Sequence, residues 1–162
     1  MTSSKIEKTV ADMLMKKGLT LTTAESCTGG LISSKIVSVS GVSAVFKGGF
    51  VTYANEAKVK LLGVKEETLA AFGAVSEQTA CEMVTGAAKA MEADVAVAVT
   101  GIAGPDGGTK EKPVGLVYIG YYICGDVYVK EYHFTGNRAQ IRESTADTAL
   151  LQLAEYMITN EE

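Results

Sequence analysis

Histidine is nearly absent from this chain: among 162 residues there is one, His133. A single imidazole excludes metal sites built from several histidines. Any Ser-His-Asp triad would depend on His133, and no G-x-S-x-G elbow accompanies it. His133 lies in a β-type run, where a partly exposed or hydrogen-bonded side chain is the plainer reading. Cysteine is also scarce. Cys27, Cys81 and Cys124 are odd in number, far apart and in no C-x-x-C arrangement. They read as reduced thiols, not as a disulfide framework. Excess positive charge is missing too. The net charge of −4 and pI of about 5.1 speak against a broad footprint for nucleic acid or a membrane surface. No uninterrupted apolar run approaches ~18 residues, so no transmembrane helix is expected. The first stretch, "MTSSKIEKTVADMLMKKG", carries charges throughout and lacks the apolar core of a signal peptide. A cytoplasmic location is the expectation. Neither a Walker A sequence nor G-x-G-x-x-G occurs, and "GIAGPDGG" does not match the latter. With no repeat, low-complexity tract or linker, residues 1–162 read as a single domain.

What is present alternates in period. Residues 4–17 have helical spacing, with Ile6, Val10, Met13 and Leu14 on one face and Gly18 as C-cap. "LTLTTA" reads as a strand, "LISSKIVSV" as a helix and "GGFVTYA" (48–54) as a second strand. Residues 55–71 suggest one or two short helices broken near Gly63. Ser76 is placed to cap a helix that buries Ala80, Met83, Val84, Ala87 and Met91. "DVAVAVTG" (94–101) is nearly all apolar, as a strand covered on both faces should be. "VGLVYIGYYI" and "VYVKEYHFT" flank Gly125-Asp126, which predicts a hairpin. A last helix spans about 137–159. The order implies a three-layer α/β/α sandwich with a mixed, mainly parallel sheet and a late β-hairpin. The tyrosines of that hairpin, Tyr118, Tyr121, Tyr122 and Tyr128, suit core packing or a homo-oligomer contact alike.

With metal and histidine chemistry set aside, hydroxyl and amine chemistry remains. In "TTAESCTGG" (22–30), Ser26 follows a strand and precedes glycines that open a helix. Unpaired N–H groups there could hold an oxyanion or a phosphate. A serine nucleophile needs a base, and a lysine with a lowered pKa can serve. The same residues also suit a plain N-cap. Cys27 is either a competing nucleophile or a small buried residue. "TYANEAKVKLLG" brings Tyr53 and Lys58 to a strand end, and "VTGIAGPDGG" leaves a strand into a glycine-rich loop. If the three strands are parallel, these loops converge at one sheet edge, where open α/β sheets bind ligands. "TGNRAQIRE" puts Arg138 and Arg142 four apart on one helix face, suited to an anion or to an ion pair with Glu143. Glu25 either orients Lys58 or caps a backbone donor.

Four ordered blocks resemble a known family. "TTAESCTGGLISSKIVSVSGVSAVFKGGFVTYANEAKVKLLGV", "GAVSEQTA", "TGIAGPDGGTKEKPVGLVYIG" and "FTGNRAQIR" are similar to the nicotinamide-nucleotide amidohydrolases, the same family as the C-terminal domain of the competence/damage-inducible protein CinA. Larger members carry a further N-terminal domain, and this chain resembles the stand-alone amidohydrolase. The resemblance implies hydrolysis of the carboxamide of nicotinamide mononucleotide to nicotinate mononucleotide and ammonia, in pyridine-nucleotide salvage, with no cofactor and no metal. It implies Ser26 as nucleophile, Lys58 as base and Tyr53 as a further catalytic group. Thr28, Gly29, Gly30, Thr100, Gly101, Gly104, Arg138 and Arg142 are the expected substrate contacts, and Cys27 a packing neighbour. Two other readings stay open: a non-catalytic module for a pyridine nucleotide or phosphate, and an amidohydrolase, serine- or thiol-based, for another small amide.

Overall fold

The strands of the computed structural model, which describes residues 3–159, follow the β-branched and aromatic runs of the chain. They are β1 (Leu21–Glu25), β2 (Phe46–Val51), β3 (Val95–Gly101), β4 (Leu116–Ile123) and β5 (Asp126–His133). One open sheet holds them in the order β2-β1-β3-β4-β5. β1 is parallel to β2 and β3, and β4 is antiparallel to β3 and β5. The sheet is mixed as expected. Its pairings divide evenly between parallel and antiparallel, because β4 alone runs against the other strands.

Helices cover both faces. α1 (Ser3–Lys17), α2 (Leu31–Val37) and α6 (Arg138–Thr159) lie on one; α3 (Asn55–Leu62), α4 (Glu66–Phe72) and α5 (Glu77–Met91) lie on the other. The alternation of β3 explains how the two layers differ. Val95, Val97 and Val99 enter the core beneath α1, α2 and α6, whereas Ala96 and Ala98 face α5. Small side chains there let α5 lie close to the sheet. α5 also lies close to α3: a Cβ on Gly86 would sit 1.8 Å from the Leu62 carbonyl oxygen. On the opposite face Leu14, Leu150 and Leu153 are fully buried, and truncating one to alanine costs about 2–5 kcal/mol.

Local signals hold at most boundaries. Ser76 caps α5 by accepting from the Thr79 N–H at 3.1 Å, and Gly63 ends α3 in a left-handed conformation. The hairpin turn falls one residue earlier than the sequence suggests. Ile123 pairs with Asp126, so the two-residue turn is Cys124-Gly125, with φ of +49° and +101°. Two positive φ values suit the twist of a tight hairpin. Of the hairpin tyrosines, Tyr121 is buried in the core, and Tyr128 stacks on Tyr156 of α6 with ring centroids 4.5 Å apart. His133 is exposed and pairs with Glu131 at 3.0 Å.

Candidate active site

Because β1, β2 and β3 are parallel, their carboxyl ends meet at one edge. Glu25, the last residue of β1, is level with Val51 and Val99. Pairing runs slightly past the strands. The Ser26 N–H donates to the Val99 carbonyl at 3.1 Å and the Thr52 N–H to the Glu25 carbonyl at 2.9 Å. Ser26 and the β2 exit are therefore fixed at their base.

Lys58, in the first turns of α3, reaches back under this edge and is 1 % exposed. Its Nζ donates to Ser26 Oγ at 3.1 Å, to the Thr52 carbonyl at 2.8 Å and to the Tyr53 carbonyl at 3.3 Å. No carboxylate is among these partners. Burial, which disfavours the ammonium, holds the Lys58 pKa below the ordinary 10.5, with the neighbouring Cys27 thiol pulling weakly the other way. A neutral amine fits the same three partners: its two N–H groups go to the carbonyls, and its lone pair to the Ser26 hydroxyl. Cys27 is a poor rival nucleophile. It is buried, and burial pushes its thiol up to about 11.

Glu25 resolves in favour of capping. It is fully buried and accepts from the Thr28 hydroxyl (2.6 Å), the Ile32 N–H (2.8 Å), the Ser33 N–H (2.9 Å) and the Ser33 hydroxyl (2.7 Å). Its carboxylate thus satisfies the first turn of α2, where the helix offers unpaired donors.

A cleft of about 190 Å³ opens above the serine. Of the residues expected from the sequence, Ser26, Tyr53, Lys58, Thr100, Gly101 and Arg138 line it. Asn55, Ala74, Val75 and Ala103 join them without having been singled out as contacts. The positions of Asn55 at the start of α3 and of "AV" just before the Ser76 cap were the available signals. Thr100 donates its hydroxyl to the Ala74 carbonyl at 2.8 Å, which ties the segment before α5 to the end of β3. Arg138 donates to the Gly104 carbonyl at 2.7 Å and to the Tyr53 hydroxyl at 3.2 Å. It thereby joins the β2 and β3 loops across the mouth.

Five expected contacts stand behind the cleft instead of in its wall. The Thr28 side chain is spent on Glu25. Gly30 begins α2, and the Gly104 carbonyl is taken by Arg138. Gly29 lies against the guanidinium of Arg142, which itself bonds the Cys27 and Thr28 carbonyls. The two arginines therefore find carbonyl oxygens, while Glu143 pairs with Lys35 at 2.9 Å. Tyr53 is 64 % exposed and its hydroxyl meets Arg138, so it stands at the mouth and not beside Ser26 Oγ. A wider groove of about 680 Å³ lies between α3 and α5, lined by Leu61, Leu62, Lys65 and Lys89 among others.

Fold and site define an open α/β protein with a serine–lysine pair at the carboxyl ends of three parallel strands. The chain belongs to the CinA C-terminal domain family, whose model matches residues 3–157. It is 58 % identical over 145 residues to a CinA-like protein of Kosmotoga olearia and 52 % identical over 153 residues to a putative competence-damage inducible protein of Clostridium novyi. Those matches cover 90 % and 94 % of this chain but 35 % and 37 % of the relatives, so the chain spans just over a third of their length. Among solved structures, a competence/damage inducible protein from Agrobacterium tumefaciens superimposes with a TM-score of 0.91 at 47 % identity, covering 93 % of each chain. A CinA superfamily protein from Klebsiella pneumoniae gives 0.94 at 34 % identity, covering 98 % of this chain and 99 % of that one.

Proposed function

We propose that this chain hydrolyses the carboxamide of nicotinamide mononucleotide, releasing nicotinate mononucleotide and ammonia. The observation that carries the reaction type is the buried 3.1 Å contact between Lys58 Nζ and Ser26 Oγ, with no carboxylate at the lysine. The substrate rests on the similarity of the four sequence blocks to amidohydrolases of that nucleotide.

In this reading neutral Lys58 takes the Ser26 proton as Oγ attacks the amide carbon. The tetrahedral oxyanion is met by N–H groups of the loop after Ser26. Among the described residues, the Cys27 and Thr28 N–H groups make no bond to any oxygen. Lys58 then returns the proton to the departing nitrogen, which leaves as ammonia. Water, deprotonated by Lys58, hydrolyses the acyl ester and restores Ser26. Lys58 alone carries the proton, since Tyr53 stands exposed at the mouth, its hydroxyl accepting from Arg138. Tyr53, Asn55, Thr100 and Arg138 are left to hold the ring, ribose and phosphate.

The test is ammonia release from nicotinamide mononucleotide, with nicotinate mononucleotide identified as product. Wild type turns over, and Ser26→Ala and Lys58→Met each lose at least about 10⁴-fold in kcat, with melting temperatures that show both folded. A folded wild type that shifts its melting with the nucleotide but releases no ammonia would leave a binding module in place of an enzyme.

A further inference from the structure

Arg142 lies one turn inside α6, behind the cleft. Its Nε donates to the Cys27 carbonyl at 3.0 Å and a terminal nitrogen donates to the Thr28 carbonyl at 2.9 Å. These carbonyls belong to two successive peptide units of the loop that follows Ser26. Both units are trans, the cis bond among the described residues being Gly104-Pro105. In a trans unit the C=O and the next N–H point in opposite directions. A guanidinium on the Cys27 oxygen therefore turns the Thr28 N–H away from itself. The same fork on the Thr28 oxygen sets the Gly29 N–H, which donates to the Ser26 carbonyl at 3.1 Å.

Thr28 is held at a third point by its hydroxyl, which donates to Glu25. Its N–H is the group left over. Gly29, next to the clasp, takes a left-handed conformation that favours glycine. It has φ +59°, and a Cβ there would sit 3.4 Å from an Arg142 terminal nitrogen.

We infer that Arg142 is a positioning residue: through the two carbonyls it holds the Thr28 N–H as donor to the oxyanion formed when Ser26 attacks. The inference rests on the reading of Ser26 as nucleophile given above. Lysine is no substitute, because one ammonium on a flexible stem does not grip two carbonyls in a fixed fork.

The experiment compares wild type with Arg142→Lys and Arg142→Gln, and uses Arg142→Ala for chemical rescue, in steady-state hydrolysis of nicotinamide mononucleotide and in labelling of Ser26 by a fluorophosphonate. In the labelling step Oγ displaces fluoride from phosphorus, the serine proton leaves to Lys58, and the phosphonyl oxygen takes the oxyanion position. Both variants are expected to lose about 10²-fold in kcat, the effect of losing one oxyanion donor, with KM within about threefold of wild type. Labelling slows in parallel, and guanidinium ion added to Arg142→Ala restores part of the lost kcat. A raised KM with kcat retained would make Arg142 a substrate contact and overturn the inference, as would unchanged kinetics. Should Arg142→Gln fail to fold, Arg142→Lys keeps the charge and carries the comparison. If wild type labels at Ser26 but releases no ammonia, the proposed substrate is wrong and labelling alone decides Arg142. If it does neither, Ser26 is no nucleophile and the inference falls with it.

Discussion

Glu25 and Lys58 are buried at the same end of β1, 0 % and 1 % exposed, yet the fold treats them in opposite ways. Glu25 meets four donors, two of them N–H groups of the first turn of α2. A helix N-terminus and two hydroxyls replace the water that a carboxylate loses on burial. Lys58 meets three oxygens, none with a full negative charge. Nothing there offsets the cost of a buried cation, so burial favours the neutral amine. One charge-bearing side chain is locked into the scaffold, and the other lies against the Ser26 hydroxyl with no counter-charge. Burial alone does not decide which outcome follows; the partners do.

The comparison breaks most easily at Glu25. Glu25→Leu strands two N–H groups and removes a partner from the Thr28 and Ser33 hydroxyls. It should lose about 3–5 kcal/mol in urea unfolding. Lys58→Met, equally buried, should stay within about 1–2 kcal/mol of wild type. Equal losses would show that the two sites are alike in kind.

A smaller effect is expected next door. A Cβ on Gly49 would fall 2.4 Å from Thr23 Oγ1 and 2.6 Å from Ser33 Oγ, two hydroxyls 2.7 Å apart beside Glu25. Gly49→Ala should lose about 1–3 kcal/mol by overpacking, and Thr23→Ala in the same chain should recover part of it. An additive double variant would mean that the Glu25 network tolerates displacement.

The smallest effect sharpens the Lys58 side. Its folded pKa lies below 10.5, so between that lowered value and 10.5 the unfolded chain binds more protons and stability rises with pH. Cys27 acts oppositely between 9.0 and about 11, where the folded chain holds the extra proton. Wild type should therefore gain stability relative to Lys58→Met as pH rises toward 10.5, the Cys27 contribution being common to both. In the same range kcat/KM should rise with pH as the amine loses its proton. A flat difference would mean that Lys58 is not held neutral.

Much of this site is readable residue by residue. Ser26 and Lys58 stand in stretches whose local pattern, strand end then helix start, already aims them at one sheet edge. Lys58 is the fourth residue of α3, which opens at Asn55, so its direction follows from helical geometry once β2 is placed. Asn55 and Val75 are marked only by their places at a helix start and before a cap, because lining a cleft depends on which loops meet above it. Cys124 takes a turn position where glycine and aspartate are the commoner signals, so its role there is not legible from the local pattern.

The chain by itself determined its elements and the chemistry open to it. Periodicity of 3.6 and 2 is a local property, so α5 with its Ser76 cap, the apolar β3 and the final helix follow from neighbours in sequence. The near absence of histidine likewise leaves hydroxyl and amine chemistry without reference to any contact. Only the tertiary structure decided the partners of the charged groups. Arg142 meets the carbonyls of Cys27 and Thr28 across 115 and 114 residues of chain, and Lys58 meets Ser26 across 32. Such pairings depend on how α6 and α3 pack against the sheet, and the short-range pattern holds no record of that. The sequence supplied a buried acid, a buried base and two arginines; packing settled which became scaffold and which became site.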